Sequence, residues 1–182
     1  MEIEIKVRIE KGDNLKQFLE REGTKAYINK QVDEYYTPAH EDFTAVDPVI
    51  EWLRLRDSDG KFSINYKHWH HESDGRSHHC DEYETKIDNI ESLRSILTAL
   101  DFKHLVTVNK LRSVWSYKEY EISLDNVEQL GSFVEIEYKG NTDDVVPSEI
   151  TEQMLAFLNE LDCGELQRDF RGYPYLLLEM KK

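Results

Sequence analysis

The chain has 182 residues, 39% hydrophobic and 33% charged, with a formal net charge of -14. That length suits one domain with its own core, no apolar run nears the roughly 18 residues a bilayer span needs, and the acidic excess argues against a broad basic surface for nucleic acid or anionic lipid. The expectation is a single domain over residues 1–182 with no nucleic-acid and no membrane partner. The absence of a basic leader ahead of an apolar stretch points to the cytoplasm, and Cys80 and Cys163 alone make no disulfide framework. A local anion site is still compatible with an acidic chain, provided that basic residues gather beside carboxylates holding a divalent cation.

Residues 1–10 alternate strictly, so a strand there places Glu2, Glu4, Lys6 and Arg8 on one face and Ile3, Ile5, Val7 and Ile9 on the other. A helix follows over 14–22, with Leu15, Phe18 and Leu19 on one side and Asp13 as its N-cap. Strands are expected over 31–36, 50–57, 61–71 and 78–87, with turns at Asp57-Ser58-Asp59-Gly60 and Ser73-Asp74-Gly75. The irregular stretch 37–47 is the expected mobile loop. A second helix over 90–100 repeats Leu93, Ile96, Leu97 and Leu100 after Asp88 or Asn89. Strands over 105–117, 119–127 and 133–138 complete a set of eight. A third helix after Pro147 and Ser148 carries Ile150, Met154, Leu155, Leu158 and Leu161 and stops near Cys163-Gly164.

Splitting each strand by its period of two exposes a pattern in the charges. Acidic pairs stand at i and i+2 (Glu2/Glu4, Glu82/Glu84, Glu135/Glu137), and basic pairs do the same (Arg54/Arg56, Lys110/Arg112). An ordinary solvated face mixes signs, because like neighbours repel by a few tenths of a kcal/mol or more. Metal ions for the carboxylates and phosphate oxygens for the cations would compensate them. A two-residue turn at Asp74-Gly75 puts Ser73 opposite Arg76, Lys67 opposite Glu82 and Asn65 opposite Glu84, so the two sets become neighbours. A sheet with its polar face inward must close on itself. The expected fold class is therefore α+β, a closed antiparallel eight-stranded β-barrel with a charged interior and helices packed outside.

The opening Glu2-Ile3-Glu4-Ile5-Lys6 resembles the ExExK start of the CYTH superfamily, the class IV adenylyl cyclases and triphosphate tunnel hydrolases. The likeness continues through Leu53-Arg54-Leu55-Arg56, Tyr66-Lys67, Glu82-Tyr83-Glu84 and Asn109-Lys110-Leu111-Arg112. It ends in Leu124-Asp125-Asn126-Val127 and Leu130-Gly131-Ser132-Phe133-Val134-Glu135-Ile136-Glu137, nearest in style to the short cyclase-type members. Cys80 and Gly172 depart from it, standing where members often carry Arg and Ser. The resemblance implies Mg²⁺ or Mn²⁺ held by Glu2, Glu4, Asp125, Glu135 and Glu137. It implies a triphosphate held by Lys6, Arg54, Arg56, Lys67, Lys110 and Arg112, which would also carry the catalysis, with Glu82 and Glu84 assisting. Adenylyl cyclase-like turnover of ATP to 3′,5′-cyclic AMP and pyrophosphate is the first expectation. Hydrolysis of an inorganic or organic triphosphate is the second, a non-catalytic triphosphate-binding module the third, and a homodimer is expected by family analogy.

One further cluster belongs to a different chemistry. His68, His70, His71, His78, His79 and Cys80 flank one hairpin, with His70 expected opposite His79 and His71 opposite His78. Two His pairs could ligate Zn²⁺, but the spacing matches no standard zinc motif, and an exposed polar hairpin tip is the favoured reading.

Overall fold

The computed structural model describes residues 3–71, 77–142 and 145–181. Among these residues there are nine strands, every described pairing antiparallel, and four α-helices, which is the α+β class expected. The ninth strand is a two-residue piece too short to leave a periodic signal. The chain divides into two compact units, one built from Met1–Asn29 and Lys110–Phe170, the other from Lys30–Asn109 and Arg171–Lys182.

In the first unit β1 (Glu4–Arg8) pairs with β8 (Gly131–Tyr138), β8 with β7 (Tyr120–Val127), and β7 with the second half of β6 (Lys103–Tyr117). The short β9 (Gln167–Arg168) pairs with β1. Ile5, Val7, Ile122, Val134 and Ile136, one apolar face of these strands, form a single cluster with Leu15 and Leu19 of α1 (Asp13–Glu22) and Ile150, Met154 and Leu158 of α3 (Pro147–Glu160). Each of these side chains contributes about 1.5–3 kcal/mol by leaving water, so helix stripe and strand alternation select the same face. The helix α1 starts one residue earlier than its apolar stripe suggests. Gly12 holds the N-cap position without a side-chain cap, and Asp13 is instead the acidic residue of the first turn, where the helix dipole favours it. Beyond α3 the chain turns at Gly164, φ +81°, where a Cβ would lie 2.7 Å from Glu10 Oε2. Only glycine tolerates both the angle and that approach.

The second unit is a ladder of the second half of β2 (Thr24–Thr37), β3 (Glu51–Ser58), β4 (Lys61–His71) and β5 (Ser77–Ile87). The β3–β4 turn uses Asp59 and Gly60 at φ +49° and +81°, the paired positive angles that suit the twist of a tight hairpin. Helix α2 (Ile90–Ala99) is capped by Asn89, whose side chain accepts from Ser92 N at 2.8 Å, and buries Ile90 and Leu97 against Tyr36, Leu55 and Ile64. The stretch 37–47 carries its own hydrogen bonds and a buried aromatic side chain. Thr37 Oγ1 accepts from Phe43 N at 3.0 Å and donates to Glu41 O at 2.7 Å, while Phe43 is buried in a 3₁₀ turn, Phe43–Ala45. A fourth helix, α4 (Tyr173–Glu179), follows Gly172, and the Tyr175 hydroxyl donates to Asp47 Oδ1 at 3.1 Å.

Candidate active site

Residues directly opposite one another in a ladder share a face, so the register assembles the polar side of the first unit as three rows. Glu4, Glu137 and Glu121 make one row across β1, β8 and β7. Lys6, Glu135 and Ser123 make the next. Asp125 lies opposite Arg112 in the third. The expected Glu2 falls outside the described residues.

Ion pairs run continuously through two of these rows. Lys6 Nζ is 3.2 Å from Glu135 Oε2, and the same oxygen accepts from Arg112 Nη2 at 3.2 Å. Arg112 then grips Asp125 with two donors, Nε to Oδ1 at 2.7 Å and Nη2 to Oδ2 at 2.6 Å, while Lys110 Nζ is 3.5 Å from Oδ2. Asp125 is only 2% exposed, so this bidentate pairing is what makes its burial tolerable. Burial disfavours the charge on Glu135, but Lys6, Arg112 and Lys110 outweigh it and pull its carboxyl down to about 2. Burial likewise acts against the Lys6 ammonium, and Glu135, Glu4 and Asp169 overcome it and raise its pKa above the ordinary value.

The acidic row differs. Glu4 and Glu137 stand face to face with Glu121 beyond, and Lys139 reaches Glu137 at 2.5 Å. Like charges directly opposite cost free energy, and hard carboxylate oxygens are the ligands Mg²⁺ and Mn²⁺ prefer; the donor set fits such an ion. Among the described residues no three His, Cys, Asp or Glu side chains already gather closely enough to hold one. Asp125, Glu135 and Glu137 have turned to their cationic neighbours instead.

The second unit presents the other half of the expected set. Arg56 binds the buried Asp33 bidentately, Nε to Oδ1 at 2.6 Å and Nη2 to Oδ2 at 2.7 Å. Lys67 Nζ lies 3.2 Å from Glu82 Oε2, and Asn65 Nδ2 donates to Glu82 Oε1 at 2.7 Å. Burial raises the Glu82 pKa, yet Asn65, Lys67 and Arg54 outweigh it and leave it below the usual carboxylate range. Arg54 is held more loosely, with Nη2 3.7 Å from Glu84 Oε1. Among the described residues Arg54 Nε is buried without a hydrogen-bond partner. A buried, unanswered donor costs about 1–3 kcal/mol, and an oxyanion is the group that would answer it.

The predicted register of β4 and β5 holds for Lys67 opposite Glu82, Asn65 opposite Glu84 and His70 opposite His79. One pair is corrected: His71 lies opposite Ser77 rather than His78, because the register shifts between His70 and His71. Ser73, Asp74, Gly75 and Arg76 lie outside the described residues, as do the side chains on which the zinc reading depends. Three acids of these faces were not assigned a role from sequence. Asp33 pairs with Arg56, Glu121 extends the acidic row, and Asp169, whose N donates to Lys6 O at 2.9 Å, acts electrostatically on the Lys6 ammonium. Glu121 was legible as a member of the polar face. Asp33 needed the β2–β3 register across a 13-residue connection, and Asp169 follows a strand of two residues.

Comparison with known proteins agrees with this geometry. A CYTH domain profile matches residues 1–173. A Methanocaldococcus jannaschii protein provisionally named an adenylate cyclase is 34% identical over 166 residues, covering 91% of each chain. A solved Pyrococcus horikoshii OT3 protein is 26% identical over all of both chains, with a TM-score of 0.73. A Hippeastrum protein, provisionally named an adenylyl cyclase and described as having a dominant triphosphatase activity, shares the fold. It has 22% identity and a TM-score of 0.70, over 100% of this chain and 97% of that one. The chain belongs to the CYTH domain family.

Proposed function

We propose that this protein is a divalent-metal-dependent enzyme acting on a triphosphate, with adenylyl cyclase-type conversion of ATP to 3′,5′-cyclic AMP and pyrophosphate as its first activity. The observation that carries the reading is the joined pattern on the first unit's polar face: a row of facing carboxylates beside the chain Lys6–Glu135–Arg112–Asp125. Glu4, Asp125, Glu135 and Glu137, with Glu2 of the same alternation, would hold Mg²⁺ or Mn²⁺. A bound ion would neutralise phosphate charge and orient the attacking oxygen. Lys6, Lys110 and Arg112 lie beside those carboxylates, placed to exchange a carboxylate partner for a phosphate oxygen as substrate arrives. Arg54, Arg56 and Lys67 are the corresponding phosphate contacts of the second unit, with Glu82 and Glu84 holding the cations in place until then. Such preset donors stabilise charge that builds on phosphate oxygens without reorganising during reaction.

The name of the Methanocaldococcus jannaschii relative supports the cyclase reading. The activity described for the Hippeastrum protein favours the second one, hydrolysis of tripolyphosphate, thiamine triphosphate or a nucleoside triphosphate. Incubating purified protein with Mn²⁺ or Mg²⁺ and ATP, thiamine triphosphate or tripolyphosphate, then resolving the products, separates them. Cyclic AMP with pyrophosphate supports the first; orthophosphate with the matching diphosphate (ADP, thiamine diphosphate or pyrophosphate) and no cyclic AMP supports the second. Binding of all three without turnover would leave a triphosphate-binding module and overturn both. Size-exclusion chromatography with light scattering tests the homodimer, and localisation to the cytoplasm is tested by fractionation.

A further inference from the structure

The polar face of the second unit continues past the residues given a role above. The register sets it out in rows: Tyr35, Arg54 and Asn65 in one, Asp33, Arg56 and Ser63 in the next, and Gln31, Ser58 and Lys61 in the third. Same-face neighbours along a strand stand about 6.5–7 Å apart, so Gln31 lies one such step beyond the Asp33–Arg56 pair and two beyond the row of Arg54. It is 5% exposed, and among the described residues its Oε1 has no hydrogen-bond partner. Asp33, its same-face neighbour on β2, is in the opposite state, with both carboxylate oxygens taken by Arg56. Folded chains seldom leave a buried acceptor unanswered, and the β2–β3 ladder does not answer this one, because a ladder pairs backbone groups.

We propose, resting on the triphosphate reading of this face, that Gln31 is a specificity-determining residue: its Oε1 accepts a hydrogen bond from an uncharged N–H or O–H group on the organic part of an organic triphosphate. An ionised phosphate chain presents acceptor oxygens, which suit the donors of Arg54 and Arg56 and are repelled by a carboxamide oxygen. The group that answers Oε1 therefore has to come from the part of the substrate that is not phosphate. A nucleoside carries such groups in its ribose hydroxyls and in the amino group of adenine. A site that buries an acceptor for a substrate donor discriminates against ligands lacking that donor, because the acceptor is then left unpaired. Inorganic tripolyphosphate lacks one, so Gln31 would favour a nucleoside triphosphate over it.

Gln31→Met keeps the length of the side chain and removes the acceptor. Calorimetric titration of ATP and of tripolyphosphate, each with Ca²⁺ as the companion ion, is expected to show the affinity for ATP falling about five-fold or more and that for tripolyphosphate unchanged. Three analogues then identify the donor: 2′-deoxy-ATP, 3′-deoxy-ATP and purine riboside triphosphate, which lacks the adenine amino group. The one missing it should bind the unaltered protein as weakly as ATP binds Gln31→Met, and should lose nothing further in that variant. The urea midpoint of Gln31→Met should not fall, since the substitution breaks no bond of Oε1 within the described residues. The proposal is overturned if ATP affinity is unchanged, if none of the three analogues is weakened, or if the urea midpoint falls, which would make Gln31 a scaffold residue. Equal weakening of tripolyphosphate would put the amide N–H on a phosphate oxygen and overturn it while leaving the triphosphate reading standing. Failure of the unaltered protein to bind either ligand overturns both.

Discussion

The two units satisfy their charges in opposite ways. In the first, Lys6, Glu135, Arg112, Asp125 and Lys110 form one chain of contacts, and a separate row sets Glu4, Glu137 and Glu121 opposite one another, with Lys139 on Glu137. In the second, the acids Glu82 and Glu84 are 43% and 45% exposed, Arg56 is matched by a buried Asp33, and two buried side-chain atoms, Arg54 Nε and Gln31 Oε1, lack a hydrogen-bond partner among the described residues. Under the proposed function, the facing carboxylates would take a metal ion and Arg54 Nε would take a phosphate oxygen. The same strand alternation thus carries facing carboxylates in the first unit and a buried, partnerless Arg54 Nε in the second.

Variants can break that contrast. The largest effect is expected from Asp125→Ala, which strands the Arg112 and Lys110 charges; unfolding in urea should show a loss of about 3–5 kcal/mol, together with loss of turnover. Arg56→Met in the second unit leaves Asp33 buried and uncompensated, and a loss of about 3 kcal/mol is expected in the same measurement. Arg54→Met tests the difference directly. Nε has no partner to lose, and losing the 3.7 Å contact with Glu84 and the hydrogen bond to the Tyr35 hydroxyl should cost about 1–2 kcal/mol, less than Arg56→Met, whereas substrate KM should rise at least ten-fold if Arg54 grips phosphate. An Arg54→Met protein destabilised as strongly as Arg56→Met would erase the distinction between the two arginines.

Acid should act mainly on the first unit. The Glu135 carboxyl has an ordinary pKa of 4.5 and a folded value of about 2. Because the folded value is the lower one, its contribution is fully present above pH 4.5 and is lost as pH falls toward 2. The contribution is roughly 3 kcal/mol, and Glu135→Gln should flatten the stability profile across that window. The smallest stability effect is expected from Glu4→Gln. Relief of the like-charge contact with Glu137 is offset by loss of an acid that favours the Lys6 ammonium, so the unfolding free energy should change by only a few tenths of a kcal/mol, yet Mn²⁺ binding followed by calorimetry should weaken. Unchanged Mn²⁺ affinity would remove Glu4 from the metal side.

Much of this was legible in the residues because strand alternation has a fixed period. The polar and apolar faces of β1, β3, β4, β7 and β8, the apolar stripes of α1, α2 and α3, and the pairing of Lys67 with Glu82 all follow from local spacing and one hairpin turn. What failed to show did so for physical reasons. The first half of β2 is exposed on both faces, so residues 24–30 carry no alternation to read. Helix α4 has only seven residues, fewer than a reliable helical period needs.

By itself the sequence determined which side chains share a face, because a residue's parity within a strand is a local property of the backbone. It could not decide which acids meet which bases, since that depends on registers set between strands far apart in the chain. The tertiary structure decided that Arg56 answers Asp33, that Arg112 bridges Asp125 and Glu135, that Asp169 arrives beside Lys6, and that Arg54 Nε is left without a partner among the described residues. It also revealed an aromatic cavity, because Phe18, Tyr117, Tyr120 and Phe157 come from four elements and meet only when α1 and α3 pack on the back of the sheet.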